Sequence, residues 1–473
     1  MKKIFSLLLL ICVPILLCTL FNSCKPSSQQ EESPEDRRPD FAWVQKAGGI
    51  GHDQGYAIAA DSSGSLYITG FFERECTFGG IFLNASGGKA YDIFLAKYDS
   101  SGALLWVKQA GGTDYDEGVS IAIDSSDKIY LTGYFEGEAS FGNKKLTSFG
   151  SRDIFTARYN SAGDLQWVKQ AGGSGEDNGN SIITDSMNNI FVTGSFSETA
   201  FFGNTSLTSK GGSDIFTAKY NQNGNLLWVK QAGGISFDHG LAITTDNRDN
   251  FYLTGYFKNT ATFGNKTITS NGDRDVFIAK YNNNGNVSWV KKGGGDYWDY
   301  GYAVCADNPD DVYITGSFFD AAVFDGTSLT AAAQNDIFIA KYNSSGNLVW
   351  IREAGGSSYD RGKSITTDNN GNIYVAGHFK NDVTFENVSL TAYGLYDIFV
   401  AKYNSSGDFL WVKQAGGNDY DEACAITVDN NNNVYITGSF SCYNGAARFD
   451  NISLYSNGFD IFIAKISGTL SQR

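Results

Sequence analysis

The sequence predicts an all-β fold, a single seven-bladed propeller with four antiparallel strands per blade, over residues 42–470. The first reason is a tryptophan beat: Trp43, Trp106, Trp167, Trp228, Trp289, Trp350 and Trp411 are separated by 63 residues and then five times by 61. Aspartates ahead of Ile/Val-Phe follow it at Asp92, Asp153, Asp214, Asp275, Asp336, Asp397 and Asp460. The second reason is that each interval holds four strand-like runs and no helical periodicity. The third is that the two ends of the array complement each other.

The strands can be taken in order from the second repeat. Val119 to Ile123 is a short first strand, and Lys128 to Phe135 a second, rich in β-branched and aromatic residues. Asp153 to Tyr159 is the third and Leu165 to Gln170 the fourth. Turns such as Asp368-Asn369-Asn370-Gly371-Asn372 and Asn343-Ser344-Ser345-Gly346 suit hairpins, because Asn and Asp tolerate turn backbones and Gly supplies positive φ. First strands carry a small residue (Ala57, Ser120, Ser181, Ala242, Ala303, Ser364, Ala425) followed by Ile or Val, as crowding around an axis requires. Trp43 to Ala47 precedes the first full blade, while the last repeat ends after its third strand, Asp460 to Lys465. The opening strand is therefore expected to complete the last blade, close the ring and remove two sticky edges.

Fifty-five glycines and only five prolines, with 14% aromatic residues, suit short strands and tight turns. Residues 1–23 read as a secretion signal: Lys2 and Lys3, an apolar run from Ile4 to Leu20, then Ser23 before Cys24. This is similar to the lipobox of bacterial lipoproteins, which implies lipidation of Cys24, although Phe21 and Asn22 depart from the strict pattern. An uncleaved membrane anchor is the alternative. Residues 24–41 hold the lipidated cysteine and a polar, flexible tether. Without the leader, 34 basic residues face 51 acidic ones, a net charge of −17. That excludes nucleic acid as a partner, since no basic surface can replace phosphate counterions.

Gly-Gly-x-x-x-Asp-x-Gly at Gly111 to Gly118, Asp-x-x-Gly-Asn-Ile-Tyr-Val at Asp368 to Val375, and Asp-Ile-Phe-x-Ala-Lys followed by Ser-Gly resemble the bacterial SBBP β-propeller repeat. The resemblance covers residues 42–468; it implies the fold and a cell-surface setting, and no particular activity. Ala340 to Trp350 looks like the tryptophan-docking motif of quinoprotein propellers, which implies that the repeated tryptophans are structural wedges.

In a propeller the first-to-second and third-to-fourth turns share one face, and here they are short and nearly invariant. The fourth-to-first and second-to-third connections share the other face and vary, so binding is expected there. Asp53, Asp116, Asp177, Asp238, Asp299, Asp360 and Asp421 recur in the fourth-to-first connection, preceded by His52, Tyr115, Glu176, Phe237, Trp298, Tyr359 and Tyr420. Two readings stand: each Asp caps its own turn, or aromatics and carboxylates ring the channel mouth for a glycan or peptide. Trp298, outside the tryptophan beat and flanked by Tyr297, Asp299 and Tyr300, is the preferred contact, with Tyr115, Phe237, Tyr359 and Tyr420 around it.

Cys424 and Cys442 could form a disulfide on the variable face, with Cys76 as rival partner for Cys442 and Cys305 as a buried packer. His52, His239 and His378 fall at unrelated repeat positions, so no metal site is expected, and no cofactor motif stands out. The expected function is a monomeric, envelope-anchored, non-catalytic scaffold for a protein or glycan, attached to the outer membrane through its lipid. The alternatives are an enzyme, either quinoprotein-like oxidoreductase or polysaccharide hydrolase or lyase, and an outer-membrane assembly factor.

Overall fold

Asx chemistry closes the hairpins. In the third repeat, Asp185 Oδ1 accepts from the N–H groups of Met187 (3.0 Å) and Asn189 (2.8 Å), turning the first strand into the second. Asn221 Oδ1 does the same for Asn223 and Asn225, both at 3.0 Å, and Gly224 supplies φ +74°. The strands so joined, Asp177–Thr184, Ile190–Phe202, Thr205–Tyr220 and Leu226–Gly234, pair antiparallel in chain order. The other repeats follow this pattern, and the fold is all-β and propeller-like. The computed structural model describes residues 38–87, 90–307, 311–442 and 445–467, all within the unit Arg38–Arg473. The leader 1–23, Cys24 and residues 24–37 of the tether lie outside the described residues.

Cores form between neighbouring sheets. Tyr67, Ile93 and Leu95 of one repeat pack with Ile121, Leu131, Phe135 and Phe155 of the next. Second strands are buried on both faces, which explains their runs of apolar residues without alternation. Each repeat thus draws its stability from its neighbours, as in other repeat arrays. The beat tryptophans join them: Trp106, Trp167 and Trp289 Nε1–H donate to Ser161, Gln222 and Ser344 carbonyls at 3.0–3.2 Å, in the third-to-fourth turn of the next repeat. The turn glycine lies flat under the indole; a Cβ on Gly346 would sit 2.6 Å from Trp289.

The strand Phe41–Ile50 pairs with Phe459–Ile466, matching Val44 to Ala464 and Ala47 to Ile461. It begins at Phe41, the last residue assigned to the tether by sequence. Phe41 is buried edge-on against Phe449 at 5.2 Å, and its N–H donates to Asp450 Oδ2 at 2.8 Å.

The second-to-third connections are themselves ordered as strands. The second strand runs on to Phe202, turns at Gly203 and returns from Thr205, so the connection is itself a hairpin. Its outer edge pairs with the fourth strand of the preceding repeat, Gly172 to Phe201 and Gly173 to Ala200. The second glycine of each Gly-Gly exists for this contact. A Cβ on Gly112, Gly173 or Gly234 would lie 1.7–1.9 Å from the backbone oxygen of Glu138, Thr199 or Thr260.

Candidate functional site

The fourth-to-first connections and the starts of the third strands meet on one side of the molecule, joined by parallel bridges: His52 to Phe459, Ser213 to Phe237, Arg274 to Trp298, Asn335 to Tyr359 and Tyr396 to Tyr420. Tyr115, Phe237, Tyr297, Trp298 and Tyr420 are 39–54% exposed there. Tyr359 is half-buried. Tyr300 is more committed, since its hydroxyl accepts from Arg274 Nη1 at 2.6 Å and its ring stacks on Tyr302 at 5.5 Å. The Arg274 guanidinium lies 5.9 Å from the Trp298 ring, which stays more than half exposed.

Asp299 leaves the expected binding set. It is wholly buried, and its two oxygens accept from the N–H groups of Gly295 (2.8 Å) and Phe319 (3.0 Å). Asp53, Asp116, Asp177 and Asp238 are pinned in the same way, each fixing the Gly-Gly segment to the end of the second strand. These carboxylates are therefore internal pins and do not line the mouth. Burial raises their carboxyls, to about 8 at Asp53, Asp116, Asp360 and Asp421, about 7 at Asp177 and Asp299, and about 6 at Asp238.

Besides Tyr300, already expected in the site, first- and second-strand residues not expected there also reach this face. The position after each pinned Asp holds Gln54, Glu117, Asn178, His239, Tyr300, Arg361 and Glu422 in turn. Across the ladder stand Phe71, Tyr134, Ser195, Tyr256, Ser317, His378 and Ser439. These strand positions change character from repeat to repeat while the flanking Asp and Gly stay fixed. That contrast was readable in the sequence.

Two features follow from which residues fall where. In the first, rings run in an unbroken arc: Tyr396–Tyr420 (5.4 Å), Tyr420–Phe459 (6.1 Å), Phe459–His52 (4.8 Å), His52–Phe71 (5.1 Å), Phe71–Tyr91 (4.3 Å) and Tyr91–Tyr115 (5.0 Å). Burial lowers His52 and takes His378 down to about 4, so His378 is neutral and its 3.9 Å approach to Glu422 is no ion pair. The second feature is a 360 Å³ pocket between the third and fourth repeats, described below. A larger cavity of 620 Å³ lies at the invariant turns, between Asp246, Asp368 and Ser405. Asp246 and Asp368 there are already used by turn N–H groups and by Lys280 and Lys402.

Cys76, Cys305, Cys424 and Cys442 are all free, so the expected Cys424–Cys442 bridge is absent. Asp421 pairs with Phe440, which puts the two cysteines some five residues apart along the ladder, roughly 16 Å at the strand rise. A disulfide needs Cα atoms closer than about 7 Å. Cys424 Sγ instead accepts from Gln54 Nε2 and Cys442 Sγ from the Ala447 N–H, both at 3.1 Å. All four thiols should alkylate in denaturant without reductant, and reductant should leave the melting temperature unchanged; a mass two units low in the non-reduced chain would contradict this. Among the described residues no cluster of three or more His, Cys, Asp or Glu could hold a metal, and no helix is long and apolar enough to cross a membrane.

Residues 105–134, 166–195, 349–378 and 410–439 match the family model described as SBBP, Beta-propeller repeat. An uncharacterized WD repeat-containing protein, L264 of Acanthamoeba polyphaga mimivirus, is 25% identical over 89% of this chain and 38% of its own length. Regulatory protein FlaEY of Caulobacter vibrioides is 29% identical over 28% of this chain and 14% of its own. The chain thus spans well under two thirds of either relative. Among solved structures, the WD40 β-propeller domain of Doa1 aligns with a TM-score of 0.44 at 13% identity, covering 91% of this chain and 97% of that one. The extracellular domain of the hybrid two component system BT4673 of B. thetaiotaomicron gives 0.27 at 12% identity, covering 88% and 53%.

Proposed function

We propose that this β-propeller repeat protein is a non-catalytic binding scaffold whose variable face holds a protein or glycan. The observation that carries the reading is the segregation of its residues. On one face the side chains differ from repeat to repeat and leave large aromatics exposed; on the other they repeat and are consumed by turns. Residues needed by every repeat serve the fold, whereas residues that change on a rigid frame serve recognition. The aromatic arc, with Trp298 in another sector, has the composition of an interface core edged by charge, and supplies hot-spot side chains.

The scaffold we propose is a ring of seven four-stranded blades. In its support, Phe41–Ile50 and Phe459–Ile466 are hydrogen-bonded neighbours. The apolar run from Ile4 to Leu20 followed by Ser23-Cys24 supports a leader, a lipid anchor, a bacterial envelope location at the outer membrane, and a tether that leaves the face free to engage.

The test uses the full chain, immobilised and offered an envelope extract. Trp298→Ala and Tyr420→Ala should each lower capture of the retained partner at least tenfold while shifting the melting temperature by no more than about 2 °C, because Trp298 is 54% and Tyr420 39% exposed. Undiminished capture would refute the assignment of the face, and a collapse in stability would make Trp298 a packing residue.

A further inference from the structure

Repeat three differs from its neighbours at two positions on the variable face. Where repeats one, two, four and six place Phe71, Tyr134, Tyr256 and His378 on the second strand, it has Ser195, as repeats five and seven have Ser317 and Ser439. Before the third-strand Asp the other repeats place Tyr91, Arg152, Arg274, Asn335, Tyr396 and Phe459, and it has Ser213, so it alone carries serine at both positions. Ser213 pairs with Ser197, two residues beyond Ser195, so small side chains stand diagonally across the ladder and leave a gap, the 360 Å³ pocket. Repeat four walls it. The Phe237 ring lies flat over Gly212, where a Cβ would come within 2.8 Å of it. His239 stacks on Tyr256 at 4.8 Å with an 18° tilt. The Arg274 guanidinium stands over Tyr256 at 5.1 Å, held by Tyr300. Glu176 is exposed at the opposite rim, and Asn178 completes the lining.

We infer that this pocket binds one ring of a neutral saccharide. The inference rests on the reading of the variable face as the binding face, and names the ligand of one sector. A sugar ring needs a stacking surface together with donors and acceptors at close range. Phe237 and the His239–Tyr256 pair give the first, while Ser195, Ser213, Asn178, Arg274 and Glu176 give the second. Ser213 Oγ and His239 Nε2 are 2.8 Å apart, and burial, with Arg274 nearby, takes His239 down to about 4. With Nε2 engaged by Ser213 Oγ, the neutral imidazole fixes the Ser213 hydroxyl, whose remaining lone pairs suit sugar hydroxyl groups. An apolar ligand would strand these groups without partners. An anionic sugar would meet the Glu176 carboxylate and the strongly acidic chain, with only Arg274 in its favour.

The repeats themselves supply the test variants. Ser195→Phe installs the residue that repeat one carries in the same register, and Ser213→Tyr the residue of repeats one and six, so each fills the gap with a side chain the fold already accepts. The full chain is titrated with an array of neutral, uronate-bearing and sulfated oligosaccharides. We expect neutral members to bind, Ser195→Phe and Ser213→Tyr each to weaken that binding at least tenfold, and Val349→Ala, at an exposed position at the start of a fourth strand away from the variable face, to leave it within twofold. No neutral binder, a preference for anionic sugars, or binding indifferent to both filled variants would overturn the inference. Partner capture lost in Tyr420→Ala without any sugar binding would overturn the pocket alone and leave the face reading standing. Sugar binding abolished by Ser195→Phe while Tyr420→Ala captures normally would leave the pocket and overturn the arc.

Discussion

Gly173→Ala should lower the stability of the chain by at least about 3 kcal/mol, read as a fall in the urea midpoint with the slope unchanged. The added methyl would lie 1.8 Å from Thr199 O, and no flexible side chain can move aside, because that oxygen belongs to a hairpin paired on both edges. The backbone must open by more than 1 Å, which breaks the stitch between the second and third repeats. Gly203→Ala provides the control. Gly203 turns the same hairpin at φ +60° with nothing within 4 Å of its Cβ position, so only left-handed strain of about 1 kcal/mol applies. Equal losses in the two variants would mean that the close approach is not rigid and that conformational freedom, not contact, selects glycine at Gly173.

The Gly-Gly signature was legible in the sequence, but its reason was not. A glycine needed for a positive φ and one needed for a close neighbour look alike until the neighbour is placed, and the neighbour here arrives from a polar hairpin without a strong strand pattern, such as Ser197 to Ser209. The tryptophan and aspartate beats were legible because every repeat needs a wedge and a pin. The same logic led to an overestimate of Asp299, since a residue present in each repeat, however close to exposed aromatics, is spent on the fold. The cysteine pair misled for a different reason: both flank one hairpin, but register decides distance, and sequence separation does not show it. Arg274, Glu117 and His378 sit inside strands, where a varied side chain looks like ordinary strand composition until the ladder places it on the binding face.

The stability of the chain should decline as the pH rises from about 4 to about 8. Each pinned Asp lies beside a third-strand Asp: Asp92 with Asp116, Asp214 with Asp238, Asp275 with Asp299, and so around the array. In each third-strand Asp one oxygen is occupied, as when Gln109 Nε2 donates to Asp92 Oδ2 at 2.5 Å. The other, Oδ1, is buried without a hydrogen-bond partner in Asp92, Asp153, Asp214, Asp275, Asp336, Asp397 and Asp460. Around Gly111, Asp92 Oδ1 and Asp116 Oδ2 both come within 3.0 Å of the point a Cβ would occupy, so the orphan oxygen faces the neighbouring carboxylate. Two dry like charges cannot both ionise, and a proton on Oδ1 would remove the repulsion and donate to Asp116. Although burial raises Asp116 most visibly, to about 8, its two oxygens already accept N–H groups, so the hydrogen bonds favour the proton on Asp92.

Carboxyls raised on folding make the native state hold more protons than the unfolded chain between about pH 4 and pH 8, so the stabilisation is complete at the acid end and lost towards the alkaline end. Each such proton contributes a slope of about 1.4 kcal/mol per pH unit within that window. Asp92→Asn separates this effect from the general repulsion of an acidic chain. Its amide can keep the Gln109 contact through oxygen and donate to Asp116 through nitrogen, imitating the protonated pair at every pH. We expect little change at pH 5, a higher melting temperature than wild type at pH 8, and a pH slope reduced by one proton. Asp116→Asn should instead destabilise at both pH values, by about 1–3 kcal/mol, because an amide nitrogen then faces a backbone N–H that had an acceptor. If Asp92→Asn were destabilising at pH 8, or its pH profile ran parallel to wild type, the paired carboxylates would not share a proton, and alkaline loss of stability would come from net charge alone.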